Sequence, residues 1–300
     1  LFAQSMDAEA GRRSLIQVVD PAPRQIPAPE AVQRALELLK GAKKPLNITV
    51  QRETIRIGSV RGRMLEPGYA YLRISAFQAD TATDFEQQLD KLQAQAGAGK
   101  GLRGLVLDLR SNPGGLLTSA VQIADDLLEK GSIVSTRGRN AVSDATFNAT
   151  PGDRMRGAPV AVLVDAGSAS ASEVLAAALR DNKRAQIVGS RTFGKGSVQT
   201  VLPLDNGDAV KITTARYYTP SGKSIQARGI DPDVVLKPDG AVKTPGGTIS
   251  EAVLPGHLRG DQEASGLGIG DVLEGDAPIA AALVVLKKQV AALPSGIDRH

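Results

Sequence analysis

Between residues 69 and 219 short apolar runs alternate with helix-periodic stretches, and this alternation leaves few folds open. The runs at 104–110 (GLVLDLR) and 159–165 (PVAVLVD) are apolar almost throughout, as strands covered on both faces are. Each leads through a turn rich in Gly, Ser or Asn into a helical stretch, 116–129 after the first and 171–181 after the second. Residues 69–75 (YAYLRIS) alternate as a strand, and Phe85, Leu89 and Leu92 share one face of a helix over 82–95. Further strands are expected at 132–136, 185–189 and 198–204, and Asp205-Asn206-Gly207 is a hairpin turn before a strand over 209–219. Strands interleaved with helices imply an α/β core with a partly parallel sheet. No internal repeat is visible.

The flanks carry less. Residues 1–28 hold several prolines and little periodicity, and read as an arm or connector. A helix over 30–40, closed by Gly41, and a strand over 46–50 follow, a pair too small to bury a face alone. Residues 240–275, rich in Gly and charge, read as loop. Asp276 and Pro278 then open a helix over 277–293 with Ile279, Leu283, Leu286, Val290 and Leu293 on one stripe. That stripe fits either docking on the chain's own core or a subunit interface.

Composition excludes several chemistries. The chain has 300 residues, no Cys and only two histidines, His257 and His300. Disulfides, thiolate zinc sites and cysteine nucleophiles are ruled out, and a histidine triad or histidine metal site has almost no material. Aromatic residues make up 3% of the chain, Trp is absent, and the net charge is only +4, so a nucleic-acid partner is not expected. No apolar run is long enough for a membrane span. The start at Leu1 lacks the pattern of a signal peptide, as a mature or trimmed form would.

Three segments could carry chemistry. The first, 167–179 (GSASASEVLAAAL), lets the backbone turn sharply from strand to helix and leaves N–H groups pointing outward. A serine there lies in a positive field suited to a developing oxyanion. The same residues also read as a plain capping box, Ser170 with Glu173. The second segment, 189–196 (GSRTFGKG), has most of a phosphate-binding loop, but Gly196 replaces the hydroxyl residue and the sequence continues as a strand. Lys195 in this loop is either a solvated charge or a base. Burial by Phe193 and Val198 would lower an ammonium pKa from its reference of about 10.4, and a neutral lysine can deprotonate a serine. The third is the turn Asn112-Pro113-Gly114-Gly115. It is either a tight turn or, with the N–H groups of Gly115 and Ala171, an oxyanion hole.

Together the stretches LVLDLRSNPGG, GSASASE, RTFGKGSVQT and TARYYTPSGKSIQARGIDPD resemble the carboxyl-terminal processing proteases, also called tail-specific proteases. The resemblance covers about residues 55–237. It implies a crotonase-like α/β protease core, a mixed sheet with helices, over 55–239, with Ser170 as nucleophile and Ser168 and Ser172 structural. It implies Lys195 as base, Gln199 as the residue that holds the lysine, and Gly115 and Ala171 as oxyanion donors. Four residues of ideal strand span roughly 13 Å, so Lys195 and Gln199 meet only if the chain bends. The family also implies protein or peptide substrates, a substrate-gating PDZ domain, a possible activating adaptor, a homo-oligomer and a bacterial periplasmic setting, with no metal and no organic cofactor. Residues 29–54 resemble only part of a PDZ domain, truncated or incompletely recorded, and 240–300 is a loop and helix with a possible oligomeric role. The rival readings are a catalytically silent scaffold on the same fold and, more distantly, a nucleotide-binding enzyme.

Overall fold

A computed structural model describes residues 4–6, 13–15, 58–97, 101–139, 144–238, 250–261 and 270–292. The chain divides into two units, 1–57 and 58–300. In the first, β1 (Gln4–Met6) pairs antiparallel with β2 (Arg13–Leu15), two short strands within the stretch expected as a connector. The helix expected at 30–40, the strand at 46–50 and the PDZ-like segment 29–54 lie outside the described residues.

The second unit opens with β3 (Val60–Glu66), β4 (Tyr69–Ile74), α1 (Thr81–Gln95), β5 (Gly104–Asp108), α2 (Leu117–Asp126), β6 (Ser132–Gly138) and β7 (Ala145–Asn148). It continues with β8 (Val160–Val164), α3 (Ala171–Asp181), β9 (Ala185–Gly189), β10 (Ser197–Pro203), β11 (Ala209–Tyr218), β12 (Val234–Val235) and α4 (Ala277–Ala291). A six-stranded sheet runs in the order β12-β9-β8-β5-β4-β3. All its neighbours are parallel except the antiparallel edge pair β4–β3. A second, antiparallel sheet has the order β10-β11-β6-β7.

The apolar runs are explained by what covers them. In β5, Leu105 and Leu107 face one side and Val106 the other, the period-two alternation of a strand. The first side packs on Phe85 and Leu89 of α1, Ile123 of α2 and Val174 and Leu175 of α3. The second packs with Tyr69, Tyr71, Ala161, Leu163 and Val188 against Ile279, Ala282 and Leu286 of α4. The carboxyl-proximal helix thus docks on the sheet of its own chain, with Leu283 and Val290 partly buried beside it. Helix and sheet approach so closely at Gly104 that a Cβ there would lie 2.8 Å from the Leu286 side chain. Asp276 flanks the helix start without a capping hydrogen bond and pairs instead with Arg63 at 3.5 Å.

Within the second unit three strands are absent from the sequence reading: β3, β7 and β12. β3 is an edge whose residues are mostly exposed, so VRGRMLE shows no apolar pattern. No described helix is long and apolar enough to cross a membrane.

Candidate active site

Three loops leave the carboxyl ends of β5, β8 and β9. This is the end at which open α/β sheets bind their ligands. They carry the three segments singled out above.

The first loop is fixed by Asn112, which is fully buried. Its Nδ2 donates to the Ile74 carbonyl at 2.9 Å, and its Oδ1 accepts the Gly114 N–H at 2.9 Å. Phe77 N–H donates to Gly114 O at 2.9 Å and Leu116 N–H to Phe77 O at 2.8 Å, so the loop runs beside residue 77 as a single bridge. Gly115 sits between these bonds with φ +142°, and a Cβ there would lie 2.0 Å from Phe77 O. Only glycine fits. The N–H of Gly115 has no acceptor among the described residues.

The second loop sorts the serines. Ser168 Oγ donates to Leu109 O at 2.8 Å and accepts the Asp165 N–H at 3.0 Å. Ser172 Oγ donates to Asn112 O at 2.9 Å, and both serines are fully buried. Ser170 is only half-buried and takes φ +59°, ψ −116°, a conformation that costs a residue with a Cβ about 1–3 kcal/mol. It immediately precedes α3, so the Ala171 N–H is the first amide of that helix and has no intrahelical acceptor. The Gly114 turn packs directly on this point. A Cβ at Gly114 would lie 2.8 Å from Ser170 Cβ and 3.0 Å from Ala171 N. The two expected oxyanion donors therefore flank a space that a side chain at 114 would fill.

The third loop is tied to the second by Glu173. This carboxylate is fully buried. Its Oε1 accepts the Thr192 hydroxyl at 2.5 Å and the Gly194 N–H at 2.8 Å. Its Oε2 accepts the backbone N–H of Ser170 at 2.8 Å and of Lys195 at 2.9 Å. One oxygen thus holds the backbones of both expected dyad residues. Burial pushes the Glu173 carboxyl up to about 7, while the hydrogen bonds from Thr192, Ser170, Gly194 and Lys195 act to lower it. The capping box read from the sequence contains one of these four bonds. The other three reach residues 19 to 22 positions along the chain, and nothing in the sequence marks them.

Lys195 is half-buried, and its loop passes into β10, a strand, where a phosphate-binding loop opens a helix. Gln199 is exposed and stands opposite Thr213 just past a register irregularity between Val198 and Gln199, so the chain bends there. Among the described residues no hydrogen bond joins the side chains of Ser170, Lys195 and Gln199. The fold brings the backbones of the first two together and leaves Gln199 on the strand beyond.

Two further carboxylates brace the loops. Asp108 is paired with Arg110 at 2.6 Å, and Arg110 Nη1 also donates to the carbonyls of Leu273 and Gly275, each at 3.1 Å. Asp165 accepts the N–H groups of Ser111 at 2.8 Å, Gly167 at 2.9 Å and Leu273 at 3.2 Å. The stretch before α4, expected simply as loop, is stitched to the site.

The model of Peptidase family S41 matches residues 68–236. The chain is 46% identical over 226 residues to the carboxy-terminal-processing protease of Bartonella bacilliformis, covering 75% of this chain and 52% of that one. It is 39% identical over 207 residues to the chloroplastic C-terminal processing peptidase of Tetradesmus obliquus, covering 65% of this chain and 43% of that one. The solved photosystem II D1 C-terminal processing protease superposes with a TM-score of 0.52 at 36% identity, over 63% of this chain and 50% of that one. The chain spans about half the length of the curated relatives it matches.

Proposed function

The chain belongs to peptidase family S41, and from that premise we propose that it is a serine endopeptidase acting near the carboxyl termini of protein substrates. In this reading neutral Lys195 takes the proton of Ser170 Oγ as that oxygen bonds to the scissile carbonyl carbon. The N–H groups of Gly115 and Ala171 hold the oxyanion. The Lys195 ammonium then gives its proton to the leaving amine nitrogen as the C–N bond breaks, which leaves an acyl-enzyme. Water gives a proton to Lys195 as it attacks the ester carbon; the Lys195 ammonium then returns that proton to Ser170 Oγ as the C–Oγ bond breaks and the acid leaves. Gln199 turns Lys195 toward Ser170 when a substrate draws the start of β10 inward. No metal or organic cofactor enters these steps.

One observation supports the reading above all others. Of the three serines in the turn, Ser168 and Ser172 spend their hydroxyls in buried hydrogen bonds, while Ser170 alone is half-buried and held at positive φ beside free backbone donors. A PDZ domain that gates access, an activating adaptor, assembly into oligomers and a periplasmic or envelope setting belong to the same proposal.

The test is cleavage of unfolded β-casein by the wild type beside Ser170→Ala and Lys195→Ala. Loss in both variants supports the dyad. Equal turnover by Ser170→Ala overturns it, and no cleavage even by the wild type points to a gated, partner-dependent protease or to a silent scaffold.

A further inference from the structure

The antiparallel sheet carries a basic cavity that the proposed chemistry does not use. It has a volume of about 630 Å³ and is lined by Arg137 and Arg139 of β6 and its end, Thr214, Arg216 and Tyr218 of β11, and Leu258. Register explains how three guanidinium groups come together. Arg216 pairs with Arg137 across the β11–β6 ladder, and Arg139 lies two residues on, so all three project from one face. Like charges placed opposite each other are unfavourable in a sheet; Asp261 offsets Arg216 and leaves Arg137 and Arg139 for a further anion.

The cavity already displays how it holds a carboxylate. Asp261 accepts hydrogen bonds from both Arg216 Nη1 and the Tyr218 hydroxyl, the latter at 2.5 Å. That same contact raises the Tyr218 pKa. Arg137 stacks over the Tyr218 ring at 4.5 Å from its centroid, with its guanidinium plane edge still available for hydrogen bonding. Asp144, the other described carboxylate nearby, accepts the Gly138 N–H at 2.9 Å. Arg139 has no ion-pair partner among the described residues.

The anion already held on this face is a carboxylate, Asp261, and it is held by Arg216, which lines the cavity. Arg216 pairs with Ser197, so alternation along β10 puts Val201, 60% exposed, on the same face, while Leu202, Val210 and Ile212 fall on the opposite face past the irregularity between Val198 and Gln199. A basic cavity that accepts a carboxylate, with an exposed apolar side chain on its face, matches a peptide.

The cavity also touches the catalytic loop. The Leu258 carbonyl accepts Gln226 Nε2 at 2.9 Å, and Gln226 Oε1 accepts the Gly196 N–H at 3.0 Å, next to Lys195.

We propose that this cavity, formed by Arg137, Arg139 and Arg216, binds a carboxylate of the polypeptide substrate, from an acidic side chain or from its free terminus. This rests on the peptidase reading for the word substrate, and its test does not need turnover. The probe is a fluorescent apolar peptide with one internal Glu, its Gln isostere and its C-terminal amide, bound to the full chain carrying Ser170→Ala and followed by anisotropy. The expected result is about tenfold tighter binding of the charged peptide, a preference abolished by Arg139→Gln and by Arg137→Gln. These side chains are exposed, so the variants keep the fold, which circular dichroism checks. Loss of the preference on amidation identifies the terminal carboxylate as the source, and loss on Glu→Gln identifies the side chain; both support the proposal. A preference untouched by either arginine variant overturns it. So does arginine-dependent binding of a single-stranded oligonucleotide that exceeds the peptide's. Failure of casein cleavage with the peptide preference intact would remove the peptidase reading and leave the carboxylate site standing.

Discussion

The two halves of the candidate site are built in different ways. Ser170 and the Gly114–Gly115 turn sit at the carboxyl edge of the six-stranded sheet, where Asn112, Asp165 and Glu173 are fully buried and bonded on every side. Lys195 and Gln199 sit at the root of the β10–β11 hairpin, whose outer half buries little, with Val201 60% exposed and Leu204 45% exposed. The expected nucleophile and oxyanion donors are thus held by the core, whereas the expected base depends on a strand attached to it at one end. Preorganised backbone donors need such rigidity because their value lies in not having to reorganise. A general base has to approach and withdraw, and a strand root permits that.

The largest effect should come from the first half. Ser170→Ala is expected to lower turnover of β-casein by about 10,000-fold or more with little change in Tm, measured by peptide release and calorimetry. A small loss would erase the distinction, since the rigid half would then hold nothing essential.

Glu173 is the bond between the halves, and its titration separates stability from activity. Its carboxyl is raised to about 7 in the folded chain, above its ordinary value of 4.5. Folded protein therefore binds this proton more readily than unfolded protein. The stability from this group is complete below about pH 4.5 and is lost as pH rises through about 7, on the order of 3 kcal/mol in all. Activity moves the other way, because only the carboxylate can accept from Ser170, Thr192, Gly194 and Lys195 together. Unfolding in urea from pH 5 to 8 should give a steeper fall for wild type than for Glu173→Gln. Identical slopes would mean that Glu173 is charged in both states.

Gly114→Ala tests the space between the donors. With φ +97° and contacts of 2.7 Å to Ala169 O and 2.8 Å to Ser170 Cβ, the added methyl is expected to cost about 1–3 kcal/mol and to depress kcat more than KM. Steady-state kinetics on a fluorogenic peptide measures the split. The smallest effect should lie in the second half. Leu202→Ser on the hairpin is expected to change stability by no more than about 0.5 kcal/mol in urea denaturation. A larger loss would show that the outer hairpin is as well anchored as the core.

How far the sequence announces each half follows the same contrast. β5 and β8 are legible because strands covered on two faces must be apolar throughout, and α3 is legible to the residue because a small-residue turn precedes it. β3, β7 and β12 are not, since edge strands with exposed side chains keep no apolar period. The loops bearing Ser170, Lys195 and Gly115 stand out by their glycines. The reach of Glu173 to Thr192 and Lys195, and of Arg110 to Leu273 and Gly275, is invisible because such partners are chosen by the fold and not by spacing.

The stitch between residues 271–275 and the catalytic loops bears on the order of events during synthesis. Arg110 and Asp165 complete their hydrogen bonds only with Leu273 and Gly275, which leave the ribosome some 100 residues after Ser170. Until then Arg110 is held only by Asp108 and Asp165 only by its neighbours in the loops, such as Ser111 and Gly167, so the bracing of the loops is unfinished. A nascent chain of this design is expected to stay inert toward itself and its neighbours until residues 271–275 have emerged. Ribosome-stalled chains ending at residue 260 should not react with a serine-directed fluorophosphonate, whereas released chains of all 300 residues should; equal labelling of both would show that the site closes early.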